Sequence, residues 1–468
     1  MVMLLIISNA FVYAQFSPNI SFMRSVPQSF VTNPAAEVPF RFWIGIPGLS
    51  SFGQSFDNTG FRYKDVFYKT PDDSLHFDVN NFLNTLDKNN FINVDTKEEI
   101  LGFGFNVRSY YFDVRFTERF SNSIEYSRDL MSFLFKLNNQ FVGKTADFSG
   151  TGINMTLYHE LSLGVRRKLS EKWSGGFRIK GLAGVANVYS RKTDLSLFTD
   201  PDNAYAMTVH SDLEIHTSIP GLSSDPTDSL SFVFTDKNLQ NELMGLDNQG
   251  LALDLGIQFQ PNNLFLFGAS VVDLGFINWK NNPKSYVSDQ GDHDYTFDGI
   301  DINDFIGNDT ASLGDQLQKV LDSLTKNLGL RTNYDAYTSY LLTRVNVTGQ
   351  FNPTKKDHFG LLLQTTIFNN KIKPALTLHY NHEFGKTLNL MTGYTISKGN
   401  YLNLALGFSL KLGAIQWYVV SDNAYAFFMP TDFRYTNIQF GFNLVFGDKR
   451  DFKKVPKDVE NVPGMRTN

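Results

Sequence analysis

The chain has 468 residues, with 42 Lys and Arg against 47 Asp and Glu, a net charge of -5, no cysteine, and 44 Phe and 20 Tyr. The missing cysteines exclude disulfides, thiolate metal sites, iron–sulfur clusters and thiol nucleophiles, and the mild acidity offers no electrostatic basis for nucleic-acid binding. The length suits about three ordinary domains or one large barrel, and no composition break marks a domain boundary.

Residues 1–14 form an apolar run ending in Val12-Tyr13-Ala14 before Gln15, which reads as a secretory signal peptide cleaved after Ala14. Residues 15–37 follow, with the turn-prone Asn33-Pro34-Ala35-Ala36. Residues 38–46 set Phe40, Phe42, Ile44 and Ile46 against Arg41, Trp43 and Gly45, a first strand. A polar excursion over 47–97 carries a short helix near 79–88. Leu101, Phe103, Phe105 and Val107 alternate with Gly102, Gly104 and Asn106 as a second strand, and 109–127 supplies a third, bent near 117–120. Residues 129–137 read as a short helix, and 155–169 and 172–189 as strands. The stretch 190–250 is too long for a bare loop and requires structure of its own. Residues 251–260 and 264–274 form a hairpin about Pro261-Asn262-Asn263.

A second excursion covers 277–340, in which Leu313, Leu317, Val320, Leu321, Leu324 and Leu328 recur at helical spacing, an amphipathic helix over 311–328. Strands then follow almost without interruption at 342–351, 357–368, 371–383, 386–396, 400–411, 413–420 and 437–446. Residues 447–468, rich in Lys, Asp and Pro, read as a disordered periplasmic tail.

The last strand states the rule most plainly. Ile438, Phe440, Phe442, Leu444 and Phe446 alternate with Gln439, Gly441 and Asn443, which gives one apolar face over about nine residues, the length of a tilted membrane-crossing strand. The same dyad recurs in 251–260, 344–351 and 401–412. Its other face carries Asn, Gln, Gly, Ser and Thr, a composition suited to a polar barrel lumen rather than to the solvated side of a sandwich. No run approaches the ~18 apolar residues of a membrane helix, so any crossing is by strands. Strand signals number about fourteen, and their connections alternate between short (108–109, 170–171, 261–263, 352–356, 385, 412–413) and mostly long (47–97, 190–250, 274–341, 421–436).

The expected fold is therefore all-β, a closed antiparallel transmembrane β-barrel occupying 38–446 in an outer membrane. Both termini are expected in the periplasm, with short helices in long extracellular loops. Closure requires the first and last strands to pair, bringing Phe40 and Phe42 to Phe440, Phe442 and Phe446. The dyad assigns Asp254, Gln258, Arg344, Asn346, Gln350, Asn403, Lys411, Gln439 and Asn443 to the lumen, where polar filling is the expected role.

Catalytic and metal chemistry find little support. On a strand His379 and Glu383 share one face and His382 takes the other, which makes a common metal shell awkward. Phe384-Gly385-Lys386-Thr387 lacks the earlier glycine of a phosphate loop and reads as a hairpin turn. His159 lies in the apolar register with Glu160 opposite, and no spacing singles out a Ser–His–Asp arrangement. Neither cofactor, metal nor nucleic-acid partner is expected.

The Asn33-Pro34-Ala35 turn, the run Phe42-Trp43-Ile44-Gly45-Ile46-Pro47-Gly48-Leu49-Ser50-Ser51, and Gly250-Leu251-Ala252-Leu253-Asp254-Leu255-Gly256 leading to Val272-Asp273-Leu274-Gly275-Phe276 resemble uncharacterised Bacteroidota outer-membrane barrels. Those are in turn similar to the FadL long-chain fatty-acid porins and to the shuttle barrel of type IX secretion. The resemblance implies that residues 15–37 are a plug inside a fourteen-stranded barrel, with Asn33, Pro34 and Ala35 at its turn. It also implies uptake or binding of a hydrophobic small molecule in contact with outer-membrane lipid. The alternative is a non-transporting docking or accessory barrel of a larger envelope complex, its extracellular loops meeting protein partners.

Overall fold

The computed structural model describes residues 19–136, 138–202, 207–220, 244–288, 291–295, 330–368, 371–397 and 400–450. The expected signal peptide, the helix over 311–328 and the tail beyond 450 lie outside them.

Fourteen antiparallel strands close into a barrel. β1 runs over Phe42–Gly45 and resumes as Ser51–Asn58; β2 is Asn89–Val107, β3 Tyr110–Ser127, β4 Gly152–Lys168, β5 Trp173–Thr199, β6 Gln249–Phe259 and β7 Phe265–Trp279. β8 comprises Tyr337–Tyr340 and Thr343–Phe351; β9 is Asp357–Phe368, β10 Lys371–Phe384, β11 Leu388–Ser397, β12 Asn400–Leu412, β13 Ile415–Ser421 and β14 Tyr435–Phe446. Closure is direct, since Phe42 pairs with Phe446, Trp43 with Val445, Ile44 with Leu444 and Gly45 with Asn443. The ladder is closed all round except at the long-loop end beyond Ser421, and pairing of backbone edges is the condition for spanning a membrane with strands.

One end has short connections after β2, β4, β6, β8, β10 and β12, with Arg108, Gly385 and Gly413 at positive φ in the tightest of them. Just inside this end a belt of aromatic side chains faces outward. Phe42 meets Phe446 (ring centroids 5.9 Å apart), Phe105 meets Phe112 (5.7 Å), Trp173 meets Phe259 (4.5 Å), Phe265 meets Phe351 (5.3 Å) and Phe359 meets Tyr380 (4.9 Å). Such belts mark the polar–apolar boundary of a membrane.

The long-loop end departs from expectation in three places. The first loop is not 47–97 but 59–88, because Pro47 and Gly48 only interrupt β1 and because Asn89–Glu99 continues β2 with charges pointing inward. β3 runs on through 117–120, and the irregularity sits opposite, between Glu99 and Leu101 of β2. β5 extends far beyond β6 and there pairs with a further strand, Met207–Ser218, which in turn pairs with Pro283–Val287 and Gly291–Tyr295. Short helices α1 (Tyr63–Val66), α2 (Val79–Thr85), α3 (Arg128–Lys136) and α4 (Tyr425–Phe428) lie in these loops, and the Asp78 side chain caps α2 by accepting from the Asn81 amide.

Residues 19–40 run inside the barrel as two 3-10 turns, Asn19–Phe22 and Pro27–Val31, then the Asn33-Pro34-Ala35 turn. Phe40 is a correction. It belongs to this segment rather than to the seam, buried with Phe30, Val38 and Trp43, because the wall strand begins only at Phe42. Residues 447–450, expected in the tail, are held against the short-turn end, where Arg450 pairs with Asp448 at 2.7 Å and with Glu383 at 3.3 Å.

Wall glycines make room for the internal turn. A Cβ at Gly256 would strike the Asn33 side-chain oxygen and the Pro34 ring, and one at Gly176 would strike the Pro34 carbonyl. Gly256→Val is therefore expected to cost about 1–3 kcal/mol by overpacking. The check is a lower urea midpoint of the detergent-solubilised barrel together with faster proteolysis of residues 19–40; an unchanged midpoint would refute the close approach.

Candidate functional site

The internal segment has little ladder of its own, so its backbone carbonyls need donors. The wall supplies them. Arg115 donates to the Pro27 carbonyl (3.1 Å), Arg178 to Val31 (3.4 Å), Ser270 and Asn346 to Thr32 (2.7 and 3.1 Å), Arg166 to Ala35 (2.8 Å) and Asn381 to Phe22 (3.0 Å). Gln416 donates to the Ser25 carbonyl. Gln28 and Asn443 exchange amide hydrogen bonds at 3.1 and 3.0 Å, and Asn19 donates to Asp422 at 2.7 Å.

The donors are fixed by a continuous ion ladder across β2 to β8. Arg115 joins Glu99 (2.6 Å) and Asp113 (3.1 Å); Arg178 joins Asp113 (3.4 Å) and Asp254 (2.9 Å); Lys180 joins Asp254 (2.7 Å) and Asp273. Arg119 joins Glu160 (3.2 Å) and Asp273 (3.3 Å), and Arg344 joins Asp273 (2.7 Å). Cations Arg115, Arg119, Arg178, Lys180 and Arg344 thus balance Glu99, Asp113, Glu160, Asp254 and Asp273. Asp273 has φ of 61°, held where β6 and β7 slip register, and its amide donates to Asp254 at 2.8 Å. That strained turn aims one carboxylate at three cations.

Of the residues assigned to the lumen, Asp254 and Arg344 stand in this ladder, Asn346 and Asn443 hold the internal segment, and Gln350, Asn403 and Gln439 are buried. Gln258 is half-buried near the short-turn end, and half-buried Lys411 reaches Asp448 at 3.6 Å. Phe440 and Phe442 face outward, Phe440 stacking on Phe52 of β1 at 5.6 Å and Phe442 on Trp417 at 6.1 Å. Glu99, Asp113, Arg115, Arg119, Arg178 and Lys180 escaped the sequence reading, although Asp113, Arg115 and Arg178 alternate with the outward apolar residues Phe112, Val114, Phe116, Phe177 and Ile179; Glu99 and Arg119 follow Glu98 and Glu118 and carry no such signal. His379 and Glu383 point inward while His382 points outward to Asp357 at 2.7 Å, and among the described residues no cluster of His, Asp and Glu is placed to hold a metal.

The internal segment fills the short-turn half of the lumen. Above it lies a polar cavity of about 100 Å³ lined by Asp95, Arg119, Tyr158, Asp273, Arg344 and Lys373. The apolar space lies elsewhere, in the wall. β13 ends at Ser421, so β12 above Leu406 and β14 above Gln439 lose their common partner. Residues 422–434 bridge this ladder break mainly through side chains. The Ala424 amide donates to the Leu404 carbonyl (2.8 Å) and the Asn423 side chain to the Tyr435 carbonyl (2.6 Å). Asp422 and Asn437 exchange two bonds, the Asp422 amide donating to the Asn437 side-chain oxygen (2.5 Å) and the Asn437 side-chain amide to the Asp422 carboxylate (2.6 Å).

An apolar groove of about 810 Å³ runs along the outward face of the wall, from Tyr380, His382 and Phe384 near the short-turn end past Leu390, Leu406, Phe408 and Val419 to Phe427 and Phe428 of α4 at the break, with inward-register Met391 and Gly407 also on its lining. Behind Met391 and Gly407 sits an apolar cluster inside the barrel, comprising Ile20, Met23 and Val26 of the internal segment with Ala405, Tyr418 and Val420.

Asp273→Asn leaves three buried cations short of a charge and is expected to cost about 3–5 kcal/mol, with Arg344→Met in the same chain returning part of the loss. Urea midpoints of the single and double variants check both, and an additive double variant would contradict the shared ladder.

In comparisons with known proteins, no curated protein matches the chain. Among solved structures, the toluene transporter TodX of Pseudomonas putida aligns over 94% of this chain and 99% of its own at 8% identity with a TM-score of 0.41. The toluene transporter TbuX of Ralstonia pickettii aligns over 90% and 94% at 8% identity and 0.41. A FadL homologue of Pseudomonas aeruginosa aligns over 90% and 94% at 9% identity and 0.37. The barrel itself rests on its own strand pairings. The model of a family of unknown function, DUF5723, matches residues 34–422, and the chain belongs to that family.

Proposed function

We propose that the protein is an outer-membrane barrel that binds and passes a hydrophobic small molecule, with the short-turn end and both termini in the periplasm. The observation that carries this reading is the apolar groove on the outward face of the wall that ends at the β12–β14 ladder break, with Met391 and Gly407 on its lining and Ile20, Met23 and Val26 of the plug packed on their inward side. An apolar solute on the membrane face here is separated from the apolar part of the plug by Met391 and Gly407, whereas the rest of the lumen is lined by charged and polar side chains. Binding there removes water from apolar surface on both partners, the ordinary driving force for such ligands.

Phe427 and Phe428 overhang the pocket and are largely exposed, at 56% and 76%. They form a collecting lip that the ligand covers. The docking alternative would use the same side chains as a protein interface, and the pocket behind them favours a small ligand.

The test is native mass spectrometry of the detergent-extracted protein with an added long-chain fatty acid. The wild type is expected to retain the acid. Leu406→Trp, whose side chain lies on the outward face and fills the pocket, and the double variant F427A/F428A, which removes the lip, are each expected to weaken retention about 10-fold or more, as the loss of one buried apolar side chain implies. Retention unaffected by both changes, or co-purification of a stoichiometric polypeptide in place of lipid, would overturn the reading.

A further inference from the structure

The two ends of the barrel treat their charges differently. At the long-loop end many cations are neutralised locally, as in Arg62 with Asp65 and Asp432, Lys64 with Asp432, Lys69 with Asp73, Lys88 with Asp147 and Lys192 with Asp212. Arg128, Lys136, Lys144 and Lys280 are exposed there but sit among loop carboxylates rather than beside the aromatic belt. At the short-turn end Arg41, Arg108, Arg167, Lys168 and Lys172 are exposed and form no ion pair among the described residues. Lys356, Lys386 and Lys449 are exposed there too. The fully exposed carboxylate on these turns is Glu171; Asp357 is engaged by His382 and Tyr380, and Asp448 by Arg450. A chain of net charge -5 therefore carries a strongly basic rim at one end.

The rim is also placed in register with the aromatic belt. Arg41 precedes Phe42 of the seam, Lys172 precedes Trp173, Lys386 follows Phe384 by two residues, and the Arg167 guanidinium stands 5.0 Å from the Tyr110 ring centroid. Rings in such a belt sit at the glycerol and carbonyl level of a bilayer, and cations one step further out reach the phosphates. The cations recur at the turns after β2, β4, β8 and β10 and at the β1–β14 seam, so they encircle the barrel rather than gather on one sector. A single protein partner would be met by a sector; a surrounding lipid annulus is met by a ring.

We propose that this rim is a docking surface for anionic phospholipid headgroups of the adjoining leaflet, holding the barrel at a fixed depth. The inference rests on the membrane-spanning barrel and on the periplasmic assignment of its short turns, and is independent of the ligand pocket.

The experiment incubates the folded protein in detergent with equal phosphatidylglycerol and phosphatidylethanolamine of the same acyl chains and counts retained lipid by native mass spectrometry. The wild type is expected to prefer phosphatidylglycerol by about 10-fold or more, given the attraction per cation near an anionic surface. The triple variant R167Q/K168Q/K172Q is expected to lose most of that preference. R167K/K168R/K172R is expected to keep it, as is Lys136→Gln at the opposite end.

Heat-modifiable migration on a gel establishes that each variant is folded, and Arg108→Gln provides a milder reading of the same effect should the triple variant fail. Equal retention of the two lipids by the wild type, or full preference in R167Q/K168Q/K172Q, would overturn the proposal. Because the chain has no native cysteine, the leaflet is read separately with Ser109→Cys. Protection from an impermeant maleimide in intact cells is expected, and labelling there would overturn the phospholipid assignment while leaving the pocket reading untouched.

Discussion

The structure depends on a transfer of hydrogen-bonding duty from backbone to wall. A segment of 22 residues, 19–40, crosses the lumen with almost no ladder of its own, and an unpaired carbonyl in such a place costs about 1–3 kcal/mol. Arg115, Arg178, Arg166, Ser270, Asn346, Asn381 and Gln416 meet those carbonyls from seven different strands. Long cationic side chains hold such positions only if their own charge is satisfied, which is what Glu99, Asp113 and Asp254 do for Arg115 and Arg178. The ladder is best understood as the frame that keeps the donors pointed inward. As a source of net stability, a buried ion pair is often no better than apolar packing.

That frame also determines where an apolar solute is unwelcome. β2 to β8 present charge to the lumen, and β11 to β13 present Met391, Ala405, Tyr418 and Val420. The apolar sector of the interior lies just below the place where the wall loses its ladder, with Tyr418 and Val420 still paired in β13, and at the break itself Asn19, Asp422 and Asn437 form a buried hydrogen-bonded group. Elsewhere neighbouring strands share long registers, sixteen residue pairs in the case of β3 with β4; β13 shares six with β14. A wall held by few backbone bonds opens at lower cost than one held by many, so the shortest ladder and the aromatic lip of Phe427 and Phe428 beside it lie next to the apolar interior.

Much of this architecture is legible in the sequence because a strand with lipid on one side and a filled lumen on the other must alternate. Phe440, Phe442 and Phe446 against Gln439, Gly441 and Asn443 announce both faces, and the short and long connections announce two different ends. Ser51–Asn58 and Asn89–Glu99 stayed hidden because their inward residues are charged or small and their outward ones are few, so they resemble loop. Phe40 was misplaced because apolar alternation continues from the plug's exit into the wall without a break in pattern. Asp273 could be quoted as part of a recurrent motif, but its role needs the β6–β7 slip and three cations from β3, β5 and β8, and no local pattern encodes contacts at such separation. The ladder break has the same character, since it arises from β13 being shorter than both of its neighbours.

The central claim is that the wall yields at the break between β12 and β14. Amide hydrogen exchange of the protein in nanodiscs tests it directly, peptide by peptide, with and without a long-chain fatty acid. The account predicts that 421–438 exchanges far faster than the seam peptides 42–45 and 439–446, and that the fatty acid slows 421–438 selectively. Equal protection of the break and the seam, with no response to the fatty acid, would contradict it.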